Sequence, residues 1–208
     1  MRPVILVFAK APVPGRVKTR LSPPLSPEEA AALHEEMVRC VFRNLDRLSV
    51  PVDLELHTDM GTDAWPELKV TRKLQVAGDL GIKMRSALET ALAAGHPQAM
   101  VIGSDSPDLP PAYLETLLAA TTDVSLGPAE DGGYYAIACR KTHTAMFDNV
   151  PWSQAATLSA TAGALLRCRL SLQIGSPWYD VDTIDDLNKW RRMQLGRSTY
   201  PVPSPDVS

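Results

Sequence analysis

The sequence predicts an α/β fold, with a mostly parallel sheet covered on both faces. Two stretches carry this expectation. Val4-Ile5-Leu6-Val7-Phe8-Ala9 is a continuous apolar run rather than an alternating one, the pattern of a central strand buried on both sides. A second apolar run, Ala99-Met100-Val101-Ile102, ends abruptly in the polar turn Gly103-Ser104-Asp105-Ser106-Pro107-Asp108-Leu109-Pro110. A helical pattern follows at once through Pro111, Leu114, Leu117 and Leu118. A strand that delivers carboxylates at its carboxyl end, just before a helix, is where open α/β sheets place ligand chemistry.

The chain has 208 residues, 45% hydrophobic and 22% charged, enough for one large domain with an ordinary core. We expect that domain over residues 1–195, and a flexible Pro/Ser-rich tail over 196–208. The net charge of -3 argues against a nucleic-acid footprint. Cys40, Cys139 and Cys168 lie far apart in apolar surroundings, with neither zinc nor redox spacing, and are expected to be buried in a reducing compartment. His34, His57, His96 and His143 form no ligand pair and are expected at surfaces or helix ends. No segment has the length of a transmembrane helix, and the first apolar run is too short for a signal peptide. A cytoplasmic location is the expectation.

After the first strand comes Lys10-Ala11-Pro12-Val13-Pro14-Gly15-Arg16-Val17-Lys18-Thr19-Arg20-Leu21. Two prolines and a glycine mark it as a loop. Its four cations suit a di- or triphosphate, with Lys as a point charge and Arg as a fork; a solvated basic loop is the other reading. It is not a Walker loop, because the adjacent Gly-Lys pair is missing. Ser26-Pro27-Glu28-Glu29 then opens a helix with a cap, a proline at the first position and a capping box. Ala30, Leu33, Met37, Val41, Leu45 and Leu48 form its apolar stripe, which predicts a helix to about Leu48.

Residues 52–58 alternate and read as a strand nearer an edge. Residues 61–68 suggest a short helix or turn around Trp65, and residues 73–77 a third strand. Gly78 and Gly81 bracket the next turn, and a helix follows to Gly95, a C′ residue. The two glycines either let a flat base approach the backbone or serve ordinary strand-to-helix turning. Asp105 and Asp108 either hold Mg²⁺ or Mn²⁺ together with a substrate phosphate, or sit in a turn where Asp105 caps the next helix and Asp108 is solvated.

A helix over 111–121 leads to a strand at Val124-Ser125-Leu126. Asp131-Gly132-Gly133 reads as a hairpin turn that also sets acidic Glu130 and Asp131 beside bare backbone. A helix over 154–167 and a strand over 170–174 follow. In Tyr179-Asp180-Val181-Asp182-Thr183-Ile184-Asp185-Asp186-Leu187, Thr183 caps a last helix with Asp185 and Asp186 in its first turn. Asp180 and Asp182 have no capping role. That helix is expected to end near Leu195. Trp152 and Tyr179 are assigned to packing.

Four blocks thus stand in one order: the basic loop through Gly15-Arg16-Val17-Lys18-Thr19-Arg20-Leu21, the Gly103–Pro110 turn, Glu130-Asp131-Gly132-Gly133-Tyr134, and Tyr179-Asp180-Val181-Asp182-Thr183. Together they resemble the nucleotide-diphospho-sugar transferase superfamily of GT-A fold. More narrowly they resemble a bacterial family of glycosyltransferase-like proteins related to the phospholactate guanylyltransferases. The resemblance spans nearly the whole ordered chain. It implies a three-layer αβα, Rossmann-like sheet with one antiparallel strand.

It also implies roles. Asp105 and Asp182 would hold Mg²⁺ or Mn²⁺, and Lys10, Gly15, Arg16, Lys18 and Arg20 would bind nucleotide phosphates. Gly78 and Gly81 would lie near the base. Gly132 and Gly133 would face the second substrate, with Asp131 and Lys18 as catalytic groups. The implied activity is transfer from a nucleotide-sugar to a small-molecule acceptor. The alternatives are guanylyltransferase-like nucleotidyl transfer from a nucleoside triphosphate to a small phosphorylated substrate, and a catalytically inactive nucleotide-binding module. A homodimer is left open.

Overall fold

The computed structural model describes residues 1–198, with side chains to Leu195. Its element order is β1 (Val4–Ala9), a 3-10 turn (Thr19–Leu21), α1 (Pro27–Leu45), β2 (Asp53–Thr58), β3 (Thr71–Leu74), α2 (Leu80–Ala93) and β4 (Ala99–Gly103). It continues with α3 (Pro111–Ala119), β5 (Val124–Pro128), β6 (Tyr134–Cys139), α4 (Thr157–Arg167), β7 (Leu172–Ile174) and α5 (Ile184–Ser198). The seven strands form one sheet in the order β3-β2-β1-β4-β6-β5-β7. All pairs are parallel except those of β6, which runs antiparallel to both β4 and β5. This is the mostly parallel sheet with one antiparallel strand that the sequence implied.

The three layers follow from the side-chain period of a strand. On β1, Val4, Leu6 and Phe8 pack toward Met84, Leu88 and Ala91 of α2 and Ala164 and Leu165 of α4. Ile5, Val7 and Ala9 pack toward Val38, Val41 and Phe42 of α1 and Leu114 and Leu117 of α3. Every β1 residue is buried, which explains why its sequence does not alternate. A third cluster joins Leu21, Met37, Cys40, Tyr179, Val181, Leu187 and Trp190. It clamps the end of the basic loop and the start of α5 onto α1, and so brings the loop against the Tyr179–Leu187 segment.

The local signals were accurate where capping chemistry dictates them. Ser26 Oγ accepts from the Glu29 amide at 3.1 Å, and a Glu29 carboxylate oxygen accepts from the Ser26 amide at 2.8 Å. Asp79 accepts from the Ile82 amide, so α2 begins at Leu80 and Gly81 lies inside its first turn. Boundaries moved elsewhere. β3 lies two residues earlier than expected, and α1 stops at Leu45. Residues 61–68 form no helix; Trp65 sits there at φ 58°, wholly buried, with its indole N–H donating to the Glu35 carbonyl. α5 continues to Ser198; the remainder of the expected tail lies outside the described residues. Among the described residues, no helix is long and apolar enough to cross a membrane.

Two histidines depart from expectation. His34 and His57 are both 4% exposed. His57 pairs with Glu55 at 2.8 Å and stacks on Phe8; burial pushes its pKa down against the opposing pull of Glu55. Cys40 and Cys139 are buried and Cys168 is half-buried, all as free thiols.

Candidate functional site

The β3-to-β4 connection crosses from one side of β1 to the other, which makes the β1–β4 edge a topological switch point. A cleft of about 650 Å³ opens there at the carboxyl ends of the strands. The basic loop, β4 and its turn, the α2 start and the β5–β6 hairpin wall it. Of the expected site residues, Lys10, Arg16, Lys18, Arg20, Asp105, Asp131 and Asp182 all line this cleft.

Lys18 is the centre of the arrangement. It adopts a left-handed backbone, φ 47° and ψ 36°, and only 6% of its side chain is exposed. Its ammonium donates to the Val181 carbonyl at 2.7 Å and to Asp182 Oδ1 at 3.1 Å, and forms an ion pair with Asp105 Oδ1 at 2.5 Å. Those three oxygens surround the ammonium. Burial pulls the Lys18 pKa down, but the two carboxylates outweigh that and hold it above its usual value. Burial likewise pushes the Asp105 carboxyl up, and Lys18 draws it below the usual carboxylate range. In this structure Lys18 bridges two carboxylates. The sequence does not reveal this, because Asp105 lies 87 positions away and Asp182 lies 164 positions away.

The carboxylates are aimed by backbone. The Val181 amide donates to the Asp105 carbonyl at 2.8 Å, which lays the Asp180–Asp182 segment along the turn after β4. Asp186 then accepts from the Asp182 and Thr183 amides and from the Thr183 hydroxyl, so the α5 capping box also fixes Asp182. Arg20, with 71% of its side chain exposed, reaches Asp182 Oδ2 at 3.4 Å. Half of the Asp105 side chain and 37% of that of Asp182 remain open to the cleft. Two hard carboxylates that converge on one cation are the donor set that suits Mg²⁺ or Mn²⁺. Here the cation between them is the Lys18 ammonium. No cluster of three or more His, Cys, Asp or Glu side chains with metal-ligand geometry occurs among the described residues.

Asp108 belongs to the fold. It is 2% exposed and accepts from the Tyr179 hydroxyl at 2.7 Å and the Trp178 indole at 3.3 Å. It is neither a metal ligand nor solvated, and α3 has Pro110 as its N-cap with no side-chain cap, so Asp105 does not cap it. Asp108→Ala removes the acceptor for a buried hydroxyl and a half-buried indole and is expected to cost about 2–4 kcal/mol. Urea unfolding at neutral pH measures this; a loss below about 0.5 kcal/mol would remove Asp108 from the structural frame.

Asp180 is the acidic residue that the motif reading left without a role. The Ser106 hydroxyl donates to its Oδ1 at 2.5 Å. Burial pushes the Asp180 carboxyl up to about 7, the Ser106 bond opposes this, and Asp105, Asp131 and Asp182 add to it. The unfolded chain loses that proton near pH 4. Between about pH 4 and 7 the folded protein thus holds the extra proton, and its stability falls as pH rises through that window. Asp180→Asn keeps a hydrogen-bonding group and removes the charge. In metal-free buffer it is expected to gain stability relative to wild type between pH 5 and pH 8, by on the order of a few kcal/mol. Parallel pH profiles for the two proteins would discard this cause.

The glycines admit close packing. Gly78 and Gly81 do not line the cleft; Leu80, Lys83 and Met84 do. A Cβ on Gly81 would lie 2.7 Å from the Trp152 ring and 3.0 Å from Phe147 Cβ, so Gly81 admits a packed indole rather than a base. Gly132, at φ 90°, lets the Ala155 backbone approach; a Cβ there would lie 2.2 Å from the Ala155 carbonyl oxygen. Gly133 donates its amide to Asp131 Oδ1 at 2.8 Å, closing the hairpin turn. Neither glycine lines the cleft, and Gly15 sits in open space on the outer loop. Trp152 and Tyr179 both pack, as expected.

His34, Asp59, Gln75, Lys83 and Tyr134 also line the cleft without having been singled out. His34 bonds the Lys10 carbonyl at 3.0 Å, and burial holds its imidazole neutral, so the loop end is tied to α1. A signal existed: His34 lies four residues after Ala30 and three before Met37, on the buried face. Asp59 accepts from the Ala11 amide at 2.7 Å, the second tie on that loop.

A family model described as "Uncharacterized protein conserved in bacteria (DUF2064)" matches residues 37–154. The chain belongs to this family. The DUF2064 span includes Asp105 and Asp131 and omits Lys18 and Asp182. A crystal structure from Desulfovibrio desulfuricans G20, provisionally described as a nucleotide-diphospho-sugar transferase, is 33% identical with a TM-score of 0.85, over 95% of this chain and 90% of that one. A CMP:2-keto-3-deoxy-manno-octonic acid synthetase solved with CTP superposes over 95% of this chain and all of its own, at 14% identity and TM-score 0.63. The 4-diphosphocytidyl-2C-methyl-D-erythritol synthase of Anaerococcus prevotii DSM 20548 does so over 93% and 98%, at 8% identity and TM-score 0.62. No curated protein sequence matches the chain. This DUF2064 protein therefore has the nucleotide-diphospho-sugar transferase fold that its motifs resembled.

Proposed function

We propose that this protein is a metal-dependent transferase that uses a nucleotide-activated donor, most simply a nucleotide-diphospho-sugar glycosyltransferase. The observation that carries the reading is the pair of carboxylates, Asp105 and Asp182, converging on one cation at the floor of a cleft walled by a basic loop. The 33%-identical Desulfovibrio protein, described as a nucleotide-diphospho-sugar transferase, supports the donor class. Asp105 and Asp182 hold Mg²⁺ or Mn²⁺. Such a cation would supply positive charge against the diphosphate leaving group.

Lys10, Arg16 and Arg20 reach the phosphates from the loop, where preorganised positive charge stabilises the leaving group. Asp131, on the hairpin rim, accepts the proton of the acceptor hydroxyl; its Oδ1 is held by the Gly133 amide, which leaves Oδ2 for that work. Gly15, Gly132 and Gly133 serve by shaping the loop and the hairpin.

Nucleotidyl transfer is the second reading, favoured by the full-length likeness in fold to a synthetase solved with CTP. Calorimetric titration with nucleoside diphosphates, their sugars and nucleoside triphosphates, each with and without Mn²⁺, separates the two. Metal-dependent binding of a diphosphate or its sugar is the expected result. Preference for a triphosphate selects nucleotidyl transfer, and no nucleotide binding under any condition rejects both.

A further inference from the structure

The Lys18 ammonium is enclosed by three oxygens, yet its side chain lines the cleft beside the other cations of the basic loop. Its ammonium occupies the point where the Asp105 and Asp182 carboxylates converge, 2.5 and 3.1 Å from their Oδ1 atoms. A divalent ion on those same oxygens would sit about 2.0–2.6 Å from each. It would thus claim the space of the ammonium, and two cations there repel strongly at low exposure. The second Asp182 oxygen is already shared with Arg20. Asp105 is half open to the cleft and offers the point of entry.

From this we propose that Lys18 is an internal counter-ion that holds the place of the divalent cation until the metal binds. The inference rests on the metal reading above and adds an order of events to it. In the empty protein the ammonium neutralises two adjacent carboxylates that would otherwise repel, and keeps the loop closed on the Val181 carbonyl. Metal entry displaces it. The released ammonium turns into the cleft, where the donor's phosphates replace the lost carboxylate partners. Metal and nucleotide then favour each other's binding through one side chain, with no second site required.

The test is Mn²⁺ binding to metal-free protein without nucleotide, read by electron paramagnetic resonance. Lys18→Met removes the competing charge and keeps most of the side-chain volume. It is expected to bind Mn²⁺ at least about tenfold more tightly than wild type, which corresponds to about 1.4 kcal/mol. Equal or weaker binding in the variant overturns the placeholder role, while the metal reading stands if Asp105→Asn then loses the ion. Absence of Mn²⁺ binding in both proteins overturns the inference and the metal reading together.

A second measurement needs no variant. The Lys18 ammonium, buried with three acceptors, should give a slowly exchanging proton–nitrogen NMR signal, assigned through its side-chain carbons. Saturation with Mg²⁺ is expected to abolish it. Persistence of the unshifted signal at saturation overturns the displacement.

Discussion

Asp105→Asn lowers metal-supported nucleotide binding by at least about 100-fold, beyond the range that outer-shell changes produce at metal sites, and leaves the fold in place. The amide keeps the shape of the side chain and an oxygen for Lys18, while the charge that attracts a cation is gone. The main-chain bond from Val181 to the Asp105 carbonyl does not depend on the side chain, so the Asp180–Asp182 segment stays docked. Lys18 retains Asp182 and the Val181 carbonyl. Half of the Asp105 side chain faces the cleft, so screening by solvent limits the stability loss to about 1 kcal/mol. Calorimetry with Mn²⁺ and the nucleotide selected by the titration above reads the binding, and circular dichroism reads the fold. Unchanged metal-dependent binding in a folded variant would remove Asp105 from the metal site.

Gly132→Ala unfolds the protein far more readily than its small size change suggests, with an expected cost of about 3–5 kcal/mol. Two terms add. A side chain at φ 90° costs about 1–3 kcal/mol in a region that L residues rarely occupy. The added methyl would lie 2.2 Å from the Ala155 carbonyl oxygen, and forced overpacking costs about 1–3 kcal/mol.

Relief by backbone movement is blocked on both sides. The Leu158 amide donates to the Gly132 carbonyl at 2.9 Å, and the Gly132 amide donates to the Ala129 carbonyl at 3.2 Å. Gly15→Ala is the internal comparison: its φ is 77° and nothing lies within 4 Å of the new methyl, so only the conformational term applies. For a chain of this size each kcal/mol shifts Tm by about 2–4 °C. Gly132→Ala should therefore melt roughly 10 °C lower, and Gly15→Ala by a few degrees. Equal shifts would show that the close approach to Ala155 contributes nothing. Gly132 also sets the hairpin against the 153–155 segment, so its loss should disturb Asp131 and Ser153 on the cleft rim.

Much of the fold was legible because its determinants are local. The unbroken apolar run of β1 needs both faces covered wherever it lies in a protein, and β4 shows the same property in Ala99–Ile102. The Ser26–Glu29 capping box closes within four residues, so the start of α1 follows from its own hydrogen bonds. Thr183 and Asp186 mark the start of α5 in the same way. The order of the four polar blocks was enough to imply the fold, since each follows a strand on the same edge of a parallel sheet.

The roles of individual side chains were not local. Asp105 and Asp108 look equivalent in one turn, yet Asp108 is taken by Tyr179, 71 positions away, and Asp105 by Lys18. Asp180 and Asp182 alternate as a strand would, and their fates divide: Ser106 holds one, and Lys18 with Arg20 holds the other. The glycines at 81 and 132 announce themselves as backbone exceptions. What approaches them, Trp152 and Ala155, depends on how helices and hairpins stack. The sequence by itself determined the sheet, its covered faces and the edge that carries charge, because burial, periodicity and capping act over a few residues. Only the tertiary structure decided which carboxylate meets which cation, because that depends on the third hydrophobic cluster bringing the basic loop against the start of α5.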